Sequence, residues 1–381
     1  MRLHPVRCFI AGAVVLAIAM GVGRFVYTPL LVEMRAEGVL STSLAGILAS
    51  ANLAGYLVGA LLAMLRVAGR HRTRLVQIGS VVVVLTTAMM ALPPSFWLIA
   101  RFITGVASGI VFVLTISLVL DVIVHEQSRS GAAVAFSGIG IGIALSGLLV
   151  APFVAIGGSR AAWLGLAAFS AIALAIALPL LPRFHPEPHT VDRPPDAKDG
   201  SLFGWLAFVY GIEGGAYIIP ATFLVAMIAE TPSIARFGAA TWILVGLVAA
   251  PSMMWWGAAT RRWGQSKTLV LACIAQTLSM LAPFVLPSAA GAVVLAVGLG
   301  GTFIGIAALA MALARNLRPA NANGAIGLLT ALYGIGQIVA PLIATRIVLV
   351  TGSYRLALLI SAVALGIATI PFTLRAKVLS V

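Results

Sequence analysis

Apolar runs long enough to cross a lipid bilayer follow one another along almost the whole chain, and this most constrains the fold. Of 381 residues, 61% are hydrophobic and 9% are charged, against about 25% charged in a soluble domain. Ten carboxylates cannot dress a water-exposed surface of this size. A soluble enzyme, a disordered chain and a disulfide scaffold are excluded, and a polytopic membrane protein remains. At about 20 residues per spanning helix and roughly 5–10 per connection, the chain holds twelve spans.

The spans are expected at 8–31, 42–65, 75–93, 95–120, 131–155 and 160–181, then at 202–228, 238–258, 268–287, 290–313, 324–350 and 355–374. Arg2 and Arg7 before the first run imitate a signal peptide, but that run continues through Arg24 and Pro29 without a small-residue cleavage site. One long polar stretch, PRFHPEPHTVDRPPDAKDGS at 182–201, reads as a flexible linker between residues 1–181 and 202–381. His185, His189, Glu187 and Asp192 lie in it and read as solvated linker residues, so no metal site is expected.

Charge sets the orientation. The N-terminus, the even-to-odd loops and the C-terminus carry Arg2, Arg7, Arg66, Arg70, Arg72, Arg74, Arg129, Arg183, Arg193, Lys198, Arg261, Arg262, Lys267, Arg315, Arg318, Arg375 and Lys377, 17 of the 24 basic residues. Both termini are therefore expected in the cytoplasm, which an even number of spans satisfies. The net charge of +14 follows from this loop bias, and no basic face for nucleic acid is expected. Cys8 and Cys273 sit far apart within apolar runs and form no redox or metal framework.

The chain repeats itself. Gly147-x-x-x-Ala151-Pro152 recurs as Gly336-x-x-x-Ala340-Pro341, 189 residues on. Gly21 and Tyr27-Thr28-Pro29 are echoed by Gly211 and Tyr217-Ile218-Ile219-Pro220, and Gly158-Ser159-Arg160 by Gly352-Ser353-Tyr354-Arg355. Three matches in register argue for a duplicated six-helix unit. Two such units with internal termini fit the 6+6 transporter architecture.

With these features the chain resembles the major facilitator superfamily over essentially its whole length. Arg101-x-x-x-Gly105-x-x-x-Gly109 is similar to the superfamily's RxxxGxxxG element, and Gly138, Gly147 and Ala151-Pro152 to its Gly/Pro-rich antiporter motif, with Ala151 in place of the usual Gly. The segments GVGRFVYTPLL from Gly21 and EGGAYIIPATFLVA from Glu213 resemble the YbfB/YjiJ-like branch. The resemblance implies an all-α membrane fold of two pseudo-symmetric six-helix bundles, a central pathway lined by helices 1 and 7, and a role for Arg101 in proton coupling. The Asp of the superfamily's loop between helices 2 and 3 is absent from Gly59-Ala60-Leu61-Leu62-Ala63, and after helix 8 Arg261 stands where the acid would be. Asp121 and Glu126, with Arg129, are candidates for replacement ion pairs.

Charges inside spans are costly unless they serve the interior. Glu213 lies roughly 18 Å in from Ser201 at ~1.5 Å per residue and shares a helical face with Tyr210 and Tyr217. It is the expected proton carrier, with Arg24 or Arg101 as its charge partner. Arg24, Tyr27, Asn52, Tyr56, Tyr217, Tyr333 and Gln337 are the expected solute contacts. Two Arg against one Glu favour an anionic or zwitterionic small solute. No nucleotide-binding or catalytic motif appears (GxxxxGK[ST], HExxH, CxxC and GxSxG are all missing). The expectation is a monomeric, proton-coupled secondary transporter of the bacterial inner membrane, with no cofactor and a lean towards export. A non-transporting solute sensor or assembly partner on the same scaffold is the alternative.

Overall fold

The computed structural model describes residues 5–126, 131–181 and 200–378, which form helices joined by short connections with no strand among them. The linker residues 182–199, Arg2 and Arg129 lie outside the described residues, as does the side chain of Glu126. Helix α1 runs as Pro5–Leu16, a π-helical stretch Ala17–Phe25, and Tyr27–Ala36. Then come α2 (Thr42–Ala63), a short turn Arg66–Arg70, α3 (Arg72–Met89) and α4 (Trp97–Glu126). Residues 131–177 are helical apart from a break at Gly157–Gly158 that separates α5 (131–156) from α6 (159–177).

The second half follows the same order with α7 (Gly200–Ala229), α8 (Gly238–Ala249 and Ser252–Trp263), α9 (Gln265–Val285), α10 (Ser288–Leu317), α11 (Ala322–Thr351) and α12 (Arg355–Val378). Among the described residues, nine helices are long and apolar enough to cross a membrane, or ten if the two parts of α8 form one span. The stretch Gly131–Leu180 enters that number once although its 50 residues suffice for two crossings. Arg72 and Arg74 in its first turn make α3 less apolar.

Three local features depart from simple rods. The π-helical stretch of α1 ends one turn before Pro29, which has no N–H to offer the Phe25 carbonyl. Helix α8, expected unbroken over 238–258, bends by 43° where Pro251 interrupts it. Helices α4 and α10 run past their expected ends at 120 and 313 to Glu126 and Leu317, because backbone hydrogen bonding continues after hydropathy falls.

Close packing relies on glycine. In α2 and α4, Gly55 and Gly59 face Gly105 and Gly109. A Cβ on any of the four would strike the partner's backbone, at Phe102, Val106, Asn52 and Tyr56 respectively. Small residues let membrane helices approach this closely. The two halves meet through α1 with α7, α2 with α11, and α5 with α8. Hydrogen bonds crossing between them include Thr28 Oγ1 to Ala221 O at 2.6 Å, Ser50 Oγ to Ile338 O at 2.7 Å and Trp242 Nε1 to Ser146 Oγ at 3.1 Å. All three lie towards the end that carries the α1–α2 connection.

At that same end each half closes one helix with a carboxylate. Glu37, just past α1, accepts from the Ser159 N–H at 2.6 Å and from the Ser159 hydroxyl, at the start of α6. Glu230, just past α7, accepts from Ser353 Oγ at 3.1 Å and Tyr354 N–H at 3.4 Å, at the start of α12. Gly158 and Gly352 beside these caps have φ of 69° and 74°, where a side chain is strained.

Candidate functional site

In the first half the site is built around the π-helical stretch of α1. The Gly23 carbonyl accepts from Arg101 Nη1 at 3.2 Å and from Asn52 Nδ2 at 3.5 Å, and Asn52 Nδ2 also donates to the Arg101 carbonyl at 3.0 Å. Helices α1, α2 and α4 are thus tied together at one level. The Arg101 guanidinium lies 4.6 Å from the centre of the Tyr27 ring, whose hydroxyl donates to the Ala45 carbonyl at 3.0 Å. Arg24 lies 4.7 Å over the Tyr56 ring. Desolvated cation–π contacts of this kind contribute about 2 kcal/mol.

In the second half, aromatic rings stack side by side. Tyr210 and Tyr333 are 4.3 Å apart, Tyr333 and Tyr217 5.6 Å, and Tyr217 and Phe303 5.9 Å, all within 14° of parallel. The Tyr217 hydroxyl joins the halves. It accepts from Arg24 Nη2 at 2.7 Å and from Gln337 Nε2 at 2.6 Å.

Glu213, one turn before Tyr217 on α7, is fully buried. Its Oε1 accepts from Gln276 Nε2 at 3.1 Å, Thr302 Oγ1 donates to Gln276 Oε1 at 2.7 Å, and Oε2 has no partner among the described residues. The expected pairing of Glu213 with Arg24 or Arg101 is not formed in this arrangement. Glu213 turns towards α9 and α10 while Arg24 is held by Tyr217 and Tyr56, so the acid and the guanidiniums occupy separate neighbourhoods.

The other expected residues fall into two groups. Arg24, Tyr27, Asn52 and Arg101 line one cavity of ≈ 20 Å³ together with Thr28 and Thr222. Tyr56, Tyr217, Tyr333 and Gln337 form the adjoining wall. Gln276 and Thr302 went unread in the sequence, although an amide inside LVLACIAQTLSM is a polar residue in an apolar run and carries the same signal as Asn52. At the opposite end of the first half, Asp121 pairs with Arg72 at 2.7 Å, and Arg72 Nη1 also donates to Ser117 Oγ at 2.6 Å. Asp121 is thus ion-paired by Arg72 in the first turn of α3, whereas the anticipated partner Arg129 lies outside the described residues, and the pair does not cross between the halves.

The family described as "uncharacterised MFS-type transporter YbfB" matches residues 16–372. The chain belongs to that family. Its members share the major facilitator type, so the protein is an integral, multi-pass membrane transporter with a small-molecule substrate. No curated protein matches in sequence. Among solved structures, a mutant form of the nucleoside transporter NupG is similar with a TM-score of 0.70 and 14% identity, covering 97% of this chain and 98% of that one. At that identity the likeness is one of fold.

Proposed function

We propose that the protein is a proton-coupled secondary transporter of a small anionic or zwitterionic organic solute, working by alternating access. In this reading two six-helix units, 1–181 and 202–381, give twelve spans and rock about the central site, with 182–201 and both termini in the cytoplasm of a bacterial inner-membrane protein. One observation carries it. Glu213 is fully buried, one of its carboxylate oxygens has no partner among the described residues, and it lies one turn from the tyrosine through which Arg24 reaches across the halves. An acid in that position is costly unless its charge is used. Movement of the halves exchanges its surroundings, so it takes up a proton from one side and releases it to the other. Export is the direction the Gly/Pro pattern of α5 favours, and a monomer suffices because one chain holds the whole pathway.

The test is proton flux into liposomes containing the purified protein, challenged with organic acids, amino acids, nucleosides and cationic drugs. Solute-dependent flux in the wild type and its loss in Glu213→Gln supports the reading. Flux that survives the substitution removes Glu213 as the carrier. Solute binding without flux for any compound favours a sensor.

A further inference from the structure

The cavity between the two arginines has a charge problem that the chain itself does not solve. Arg24 and Arg101 both line it, at 6% and 3% exposure. Among the described residues neither forms a salt bridge, no Asp or Glu lies on the cavity wall, and the two guanidiniums repel each other. What holds them is neutral: the Gly23 carbonyl, the Tyr217 hydroxyl and three ring faces. Among the described residues, the buried Nε–H of each has no acceptor. Buried charge of one sign normally has a partner of the other, and guanidinium forks match carboxylates in shape as well as charge.

We propose that this cavity is the seat of a carboxylate, the anionic end of the transported solute. The assignment rests on the transporter reading and deepens it by naming the group recognised and the residues that recognise it. At ≈ 20 Å³ the cavity exceeds the ~10–15 Å³ that one water needs, so it admits a single compact group while the rest of the solute lies outside it. Asn52 Oδ1, another atom of the wall without a partner, is an acceptor. It suits a carboxylate that carries a neighbouring hydroxyl or ammonium donor, and it disfavours a bare halide. Thr28 and Thr222 supply further hydroxyls on the same wall. A carboxylate arriving here competes with Tyr217 for the Arg24 donors, so binding bears directly on a contact between the halves.

The measurement is the thermal unfolding midpoint of the purified protein in detergent, titrated with glycolate, glycine, acetate, glycolamide and chloride at matched ionic strength. Glycolate and glycine should act at concentrations at least about tenfold lower than glycolamide or chloride, the discrimination that one charge-assisted contact provides. Arg24→Gln and Arg101→Gln should each weaken the response by about tenfold or more. Asn52→Asp supplies the missing carboxylate from within, at the cost of the hydrogen bonds that Asn52 Nδ2 donates to the Gly23 and Arg101 carbonyls, and it should lose the response altogether. That variant reports on the site even if the arginine variants fold poorly. Equal action of glycolate and glycolamide overturns the proposal, as does chloride matching the acids or an undiminished response in Asn52→Asp. Flux of carboxylates in liposomes separates the two readings. A carboxylate response without flux keeps the site and removes the transporter, whereas flux of neutral solutes without a carboxylate response keeps the transporter and removes the site.

Discussion

The two halves of the molecule agree at their ends and disagree at their centres. Each places a glutamate just beyond its first helix, at 37 and 230, to close the start of its last helix at Ser159 or Ser353. Each also has a left-handed glycine beside that cap. At the centre, the first half brings in Arg24 and Arg101 and the second brings in Glu213. What the two halves share at their ends holds the scaffold. At their centres the difference between them is one of charge sign.

Glycine packing is tight in both halves, and breaking it gives the largest expected effect. Four glycines lock α2 to α4, so Gly105→Val should abolish folded, membrane-inserted protein in a fluorescence size-exclusion assay, since overpacking against backbone exceeds the ~1–3 kcal/mol of a side-chain clash. In the second half Gly301 of α10 has ordinary room, its nearest neighbour at 3.6 Å, and Gly301→Val should elute like wild type. Next in size, Glu213→Gln should reduce solute-driven proton flux to background while leaving the unfolding midpoint at or above that of wild type, because a neutral amide replaces a buried carboxylate.

Tyr217→Phe removes the acceptor shared by Arg24 and Gln337. It should cost about 1–3 kcal/mol in a denaturation series, as two buried donors lose their partner, and the loss should shrink when Arg24→Gln is already present. If the single and double variants differ by the same amount, the inter-half contact is not the one described. The caps should behave alike. Glu37→Ala and Glu230→Ala are each expected to lower stability by about 0.5–2 kcal/mol, the worth of a helix cap, with carboxylate binding unchanged. A large asymmetry between them would break the idea that the ends are common scaffold.

The smallest effect is one of pH at Glu230. Partial burial raises its carboxyl above the ordinary range, against the lowering pull of Ser353, Tyr354 and Arg35. The folded state therefore holds this proton more tightly than the unfolded state. Its contribution to stability falls as pH rises from the ordinary carboxylate range through the raised value. Wild type minus Glu230→Gln should show that shallow slope in midpoints measured from acid to neutral pH.

Much of this was legible in the residues because a charge or a proline inside an apolar run is conspicuous. The break at Gly157–Gly158 fell inside the expected gap between 155 and 160, and the order of helices followed hydropathy. Arg24, Tyr27 and Asn52 were marked by polarity and Arg101 also by its likeness to the RxxxGxxxG element, and the fold gathers them around one cavity. Partner choice was not legible. Arg24 pairing with Tyr217, and Glu213 with Gln276, depend on how α1, α7 and α9 are rotated against one another. No spacing within a single helix encodes that rotation. The π-helical stretch of α1 left no periodic trace, since all nine of its residues are buried and no exposed face marks the change of turn. The bend in α8 was signalled by Pro251 and went unread because the apolar run continues across it.

The glycine lock between α2 and α4 also bears on how a transporter of this kind changes over time. Asn52 and Tyr56 on one helix and Arg101 on the other stand on backbones that leave no space for a new side chain between them. Mutational drift there is removed by misfolding before it can be tested for a new solute. The adjoining wall with Tyr333 and Gln337 is locked in the same way, for a Cβ at Gly214 would strike the Tyr333 carbonyl and one at Gly336 the Gly211 carbonyl. A library built on this chain would therefore find its tolerated changes in the side chains that already face the centre of the molecule, and not at the glycines on which those helices meet.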